Sequence, residues 1–354
     1  MDSLQINAAI TQALGSELSL SDLEAVRLML RGHSVIDWSR ASFRCHEEVD
    51  RFFRLHCFDL RDPIDQKRIR YLYQQSVAYL EEHLQLRFPK LLKQPSDIRD
   101  VFLIASQSDG FQRNQILSCV ILKLMHVIHH MEAAELRYSL PISEESLLEH
   151  AERSIKQGAD RMKQSGFPLV SFYGSRKARS SLITKLIAKR ENIAATIFDK
   201  LRFRLITKRK EDVFAAFVWL SRELFPFNYV IPGQSHNNLM SFREMMSDQR
   251  YSDLFQKLTS NGIEEPAPLA PEDNGFSGAS YRNINVIVDY PIRVEHLMGL
   301  QGSSLLGRIV FVMVEFQIVD EMTALQNEEG ENAHSLYKER QLKQVRHRLR
   351  KGSR

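Results

Sequence analysis

The chain has 354 residues, a length that fits two domains of about 150 residues each. Its 43% hydrophobic and 26% charged residues are an ordinary globular balance, which excludes a disordered or fibrous chain. The net charge of +4 is uneven: residues 338–354 carry eight Lys or Arg and one Glu, a local +7, so the remainder sums to −3.

The three cysteines, Cys45, Cys57 and Cys119, are far apart and form no CxxC. That argues against a cysteine zinc site or a disulfide framework and fits a reducing, cytoplasmic setting. No basic stretch followed by an apolar block opens the sequence, so no signal peptide is expected. No apolar run approaches the ~20 residues a bilayer requires, so no membrane partner is expected.

Residues 1–150 read as helices throughout and are expected to form an all-α domain. In "SLSDLEAVRLMLRG" Ser21 is the expected N-cap and Gly32 the stop. The segment from Asp62 to Phe88 places Ile69, Leu72, Val77 and Leu80 on one helical stripe. "NQILSCVILKLMHVIHHMEAAELRY" is apolar over most of its surface, as expected of a central helix.

From about residue 165 the pattern changes. "FPLVSFYG" is a short β-type run and "SSLITKLIAKRENI" is helical. "LRFRLIT" alternates, with Leu201, Phe203 and Leu205 on one side and Arg202 and Arg204 on the other. "KEDVFAAFVWLSRELF" reads as an amphipathic helix, and "NINVIVDYPIRV" and "RIVFVMVEFQI" as strands. Between them, residues 264–280 are rich in Pro, Gly and acid and are expected to be a loop. Helices mixed with strands make residues 151–342 an α+β domain, followed by a basic tail at 343–354. Such a tail suits RNA or another acidic surface, although a solvated helix end is the plainer expectation.

The last strand raises the chemical question. Period two puts Phe311, Met313, Glu315 and Gln317 on one face, and a carboxylate beside an amide there suits a metal or a proton acceptor. Downstream stand Glu328, Gly330, Ala333, His334, Tyr337 and Lys338, with His334, Tyr337 and Lys338 on one helical face. Here the chain resembles the Rel/Spo alarmone synthetases, whose nucleotidyltransferase domain ends in E-x-Q-x(10)-E-x-G-x-x-A-H-x-x-Y-K. All eight positions match without a gap. Three shorter elements follow the family in the same order. They are Lys177, Ser181 and Lys185 in "SRKARSSLITK", Asp199 and Arg204 in "DKLRFR", and Tyr281 in "SYRNIN". Ser175 stands where the family has Arg, with Arg176 adjacent; Asn285 replaces a His and Val319 an Arg.

The resemblance spans about residues 165–342 and implies a mixed-sheet nucleotidyltransferase fold flanked by helices. It implies Mg²⁺-dependent transfer of pyrophosphate from ATP to the 3′-hydroxyl of a guanine nucleotide. Asp199 and Glu315 would hold the ion, and Glu315 would also accept the hydroxyl proton. Lys177, Ser181, Lys185, Arg204, Gln317, His334 and Lys338 would bind the substrates, and Tyr281 would stack on the acceptor base. A non-catalytic nucleotide-binding module, or pyrophosphorylation of an RNA 3′ end through the basic tail, are the competing expectations. Self-association is left open.

Other motifs carry less. His126 and His130, with Glu132 and Glu135 near, have spacing that suits zinc, but no HExxH occurs and a packing role is favoured. Neither a P-loop nor G-x-S-x-G is present.

Overall fold

The computed structural model describes residues 10–14, 18–31, 38, 41, 43–107, 112–188, 199–231, 233–242, 244, 281–295, 306–328 and 334–351. Gly32 and the 264–280 segment therefore lie outside the described residues. Helix starts in the first half are set by short polar side chains that satisfy orphan amides. At helix α1 (Leu20–Arg31) the Asp22 amide donates to Ser19 Oγ at 3.3 Å, and the Ser19 amide donates to Asp22 Oδ2 at 2.7 Å. The cap is thus Ser19 rather than the expected Ser21, because Ser19 has an acidic partner three residues on.

Helix α2 spans His46–Leu55. Helix α3 (Pro63–Leu84) begins with Asp62 accepting from the Ile64 amide at 2.9 Å and with Pro63 in the first turn, where a missing N–H is harmless. Its stripe of Ile69, Leu72, Val77 and Leu80 is buried, as the spacing predicts. The short α4 (Lys90–Lys93) and α5 (Ile98–Ala105) lead to α6 (Gln112–Ser139). Helix α6 is long and apolar enough to cross a bilayer, with mean hydropathy 1.3 over its most apolar window, contrary to the expectation from run length. Half of that window is buried inside the protein, as in a core helix. Helix α7 (Glu144–Gln164) starts on Ser143, with acids in its first turn and bases in its last, matching the helix dipole.

The sheet follows. Its strands are β1 (Leu169–Arg176), β2 (Leu201–Thr207), β3 (His236–Asn237), β4 (Ile284–Arg293) and β5 (Ile309–Asp320). The spatial order is β1-β2-β5-β4-β3, parallel only between β2 and β5. Helix α8 (Arg179–Ala188) follows β1, and α9 (Val213–Glu223) follows β2. Asp320 ends β5 and at once caps α10 (Glu321–Gln326), accepting from the Thr323 amide at 3.0 Å. Helix α11 (His334–Lys351) runs through the basic segment and packs along α8. Helix α9 is not amphipathic: Val213 to Leu220 are all buried, since the sheet covers one side and α1 another.

Two apolar cores fill the protein. One joins Leu23 and Met29 of α1, Ala151 and Ile155 of α7 and the buried α9 residues to Phe203, Val286 and Phe316 on one face of the sheet. The other gathers Phe53, Ile69, Phe102 and Ile121 of α2, α3, α5 and α6 around Ile309, with Phe311 packed against it. Helices of the first half therefore share cores with the sheet. The second layer covers the Phe311 end of the other sheet face.

Candidate functional site

The other half of that face carries the polar residues, and strand register decides which ones meet. Ser175 of β1 lies across from Arg202 of β2, Arg202 from Glu315 of β5, and Glu315 from Ile287 of β4. The next row runs Tyr173, Arg204, Gln317, Asn285 and, on β3, His236. Paired residues project to the same face. The alternation expected for Leu201–Thr207 thus holds, with both arginines turned to this face.

Glu315 is 5% exposed and Gln317 8%, so this part of the strand face is buried. Gln317 Nε2 donates to Glu315 Oε1 at 2.9 Å, which leaves Oε2 for another partner. Burial pushes the Glu315 carboxyl above its usual range, and the negative charge of Asp199 pushes it further; Arg202 only partly offsets this. Asp199 and Glu315 therefore act on one another.

Asp199 sits in the turn before β2 and is held by two lysines. Lys177, just past β1, pairs with Oδ2, and Lys185 of α8 reaches Oδ1 at 2.9 Å. Burial alone would raise the Asp199 carboxyl, but Lys185 and Lys177 hold it below the usual carboxylate range. Burial lowers Lys177 despite the counter-charge of Asp199. Ser181 lies one turn before Lys185 on α8, and so on the same helix face.

Arg204 is only partly matched. Its side chain is 16% exposed, with Nη1 3.8 Å from Glu328 Oε1. Its Nε and Nη2 are buried without a hydrogen bond among the described residues. Tyr281 is half-buried beside it: burial raises its hydroxyl, while Arg204 and Arg202 act in the opposite direction. Asn238 Nδ2 donates to the Tyr281 carbonyl at 2.8 Å, and Asn327 Oδ1 accepts from the Arg282 amide at 2.9 Å. These two asparagines fix the segment that carries Tyr281, and nothing in their sequence context marks them.

Other expected residues stand apart or outside. Lys338 is exposed on α11. The side chains of His334 and Tyr337, together with Gly330 and Ala333, lie outside the described residues. Arg176 does not fill the place of the arginine replaced by Ser175. It turns to α7, where its Nε donates to Glu152 Oε2 at 2.6 Å and it also pairs with Glu145. The alternation in "LRFRLIT" already set Arg202 beside Arg204. Register adds what it could not: Arg202 lies across from Ser175, and His236 across from Asn285.

For a metal, Asp199 and Glu315 supply hard oxygen donors, and Mg²⁺ takes one or two protein carboxylates. The mutual repulsion of the two is what a cation would relieve, although both Asp199 oxygens are held by lysines here. Among the described residues no group of three or more His, Cys, Asp and Glu could hold a metal. His126 and His130 pack instead: their rings lie 4.3 Å apart, and His130 stacks on Phe311 at 4.3 Å.

No family profile matches the chain, and no curated protein matches it. Among solved structures it is similar to the small alarmone synthetase 1 from Bacillus subtilis bound to its product pppGpp, at 15% identity and a TM-score of 0.33, over 61% of this chain and 92% of that one. It is also similar to a GTP pyrophosphokinase family protein from Streptococcus pneumoniae, at 13% identity and a TM-score of 0.29, over 58% of this chain and 83% of that one.

Proposed function

We propose that this polar sheet face forms a cleft that binds ATP and a guanine nucleotide and, with Mg²⁺, transfers a pyrophosphoryl group to the acceptor 3′-hydroxyl. The observation that carries this reading is a buried carboxylate, Glu315, directly across from Arg202, with the unpartnered nitrogens of Arg204 in the next row. A guanidinium with two buried, unpartnered nitrogens calls for an anion, and phosphate oxygens match its planar donors. A carboxylate raised by burial is a better base near neutral pH than an ordinary one.

Asp199 and Glu315 would hold Mg²⁺, which when bound neutralises charge on the transferring phosphates. Glu315 takes the acceptor's 3′-hydroxyl proton on Oε2, since Oε1 is engaged by Gln317. The alkoxide oxygen attacks the β-phosphorus of ATP, the bond from that phosphorus to the α–β bridging oxygen breaks, and AMP leaves. Lys177 and Lys185 turn from Asp199 to the phosphates, Ser181 lies beside them, and the Tyr281 ring supports the acceptor base. His334 and Lys338 are proposed to bind substrate as well. The setting proposed is cytoplasmic.

The test is incubation of the full chain with ATP, Mg²⁺ and, in separate reactions, GTP, GDP or a short RNA. AMP released together with a pyrophosphorylated guanine nucleotide is the expected outcome. AMP only with RNA would move the reading to RNA 3′ ends. ATP binding without AMP in any reaction would make the cleft a non-catalytic nucleotide-binding module.

A further inference from the structure

A cavity lies away from this sheet face, among helices α1, α2, α3 and α6 and the turn Phe227–Tyr229, with a volume of about 220 Å³. Its walls include the rings of Phe52, Phe58 and Phe102. Its polar lining is unusual in what it leaves unmade. Asn228 Nδ2 lies 3.2 Å from His56 Nε2 and 3.1 Å from His126 Nδ1. An amide nitrogen only donates, so both ring nitrogens accept, and His56 is fixed further by its Nδ1–H on the Phe52 carbonyl at 2.8 Å. With its nitrogen so engaged, Asn228 keeps Oδ1 buried without a partner among the described residues. The same is true of Tyr229 Oη and of both ring nitrogens of His129, a residue 5% exposed.

Buried polar atoms are nearly always paired, so several orphans on one lining ask for a ligand with matching groups. Burial keeps the His126 and His129 rings far below their ordinary titration range, and holds His56 at about 3, so the three imidazoles are uncharged. Of the ionic groups that also line the cavity, Arg222 pairs with Asp22 at 2.5 Å, Arg44 with Glu48 at 2.5 Å and Glu24 with Arg27 at 2.5 Å, while Arg51 is exposed. An aromatic wall with a neutral donor-and-acceptor floor suits a flat ring with a polar edge.

We propose that this cavity is a binding site for a small neutral aromatic heterocycle whose ring N–H donates to Asn228 Oδ1. The site is distinct from the nucleotide cleft. Phe311, which packs edge-on against His129 and Tyr229, is four residues from Glu315 on β5, about 13 Å along the strand.

Titration calorimetry on the full chain tests this with indole, with indene, which has the same shape but no N–H, and with indole-2-carboxylate. Indole is expected to bind saturably at one site, and the other two at least about tenfold more weakly, the loss of roughly one directed hydrogen bond. Ala25→Phe, which places a ring in the cavity from α1, is expected to abolish indole binding. Nuclear magnetic resonance of the native chain gives an arm that needs no variant, since indole should shift the His126 and His129 ring signals. Absence of saturable indole binding overturns the proposal, as does indene binding equally well, indole-2-carboxylate binding best, or ring signals that do not move. Nucleotide transfer enters none of these readouts, so the proposal stands or falls apart from the cleft's chemistry.

Discussion

Asp199→Asn and Glu315→Gln make the same chemical change and should move stability in opposite directions. Asp199 is the counter-ion of Lys177 and Lys185, whose side chains are 25% and 17% exposed. Its amide leaves two ammonium groups together in a largely buried turn. Removing one partner of a fully buried pair costs about 3–5 kcal/mol, and partial exposure brings the expectation to about 2–3 kcal/mol. Glu315 is the reverse case. Burial and the charge of Asp199 both disfavour its ionised form, and a glutamine still offers Gln317 an acceptor. Glu315→Gln should therefore be neutral or stabilising, by no more than ~1 kcal/mol. Any gain should shrink as pH falls, because protonating Glu315 removes the same charge. Urea unfolding without Mg²⁺, followed by circular dichroism, measures both. In the AMP-release assay each variant should lose about a hundredfold or more. Loss of more than ~2 kcal/mol in Glu315→Gln, or none in Asp199→Asn, would refute the electrostatic arrangement and with it a shared catalytic cleft.

Arg204→Leu removes a guanidinium with two unpartnered nitrogens, so the free chain should be at least as stable while nucleotide affinity falls about tenfold or more in equilibrium binding. Tyr281→Ala should weaken the acceptor about tenfold with ATP affinity little changed, and Tyr281→Phe should be nearly silent; equal weakening of both nucleotides would make the ring a packing residue. Acid should destabilise the fold through the buried histidines. Unfolded histidine titrates near 6.5 and folded His56 near 3, so the unfolded state binds the extra proton between those values, and stability falls as pH drops through that window. The slope is about 1.4 kcal/mol per pH unit for each such histidine, and a urea midpoint unchanged between pH 7 and 5 would contradict it. Truncation after Gln344 removes five Lys or Arg and the half of α11 in which Arg348 Nη1 donates to the Ile187 carbonyl of α8. Transfer to nucleotide acceptors should then drop through a loosened Lys185; a drop confined to RNA acceptors would assign the basic segment to RNA instead.

What could be read from the sequence was what depends on neighbours along the chain. Leu201, Phe203 and Leu205 alternate with Arg202 and Arg204 because β2 has one face in the core, and period two records that without any partner. The stripe on α3 was legible for the same reason. Helix α9 was not: whether Val213 to Leu220 are covered on every side depends on α1, some two hundred residues earlier, and local hydrophobicity does not report it. Nor could periodicity say that the helices of the first half would share cores with the sheet, since it marks a buried face but not its partner. The candidate site divides along the same line. Lys177, Lys185, Asp199, Arg204, Tyr281, Glu315 and Gln317 could be picked from spacing and resemblance, and the fold gathers them. That Arg202 lies across from Ser175, and His236 across from Asn285, becomes visible only through register, which is set by pairing between segments far apart in the chain. Their rows contain the two positions, Ser175 and Asn285, at which the residue pattern seemed to lose a guanidinium and an imidazole. A sheet face presents chemistry by transverse rows, and one row draws on as many as five segments of sequence. A group absent from one strand can therefore still be present in its row, and the unit in which to judge such a cleft is the row rather than the position.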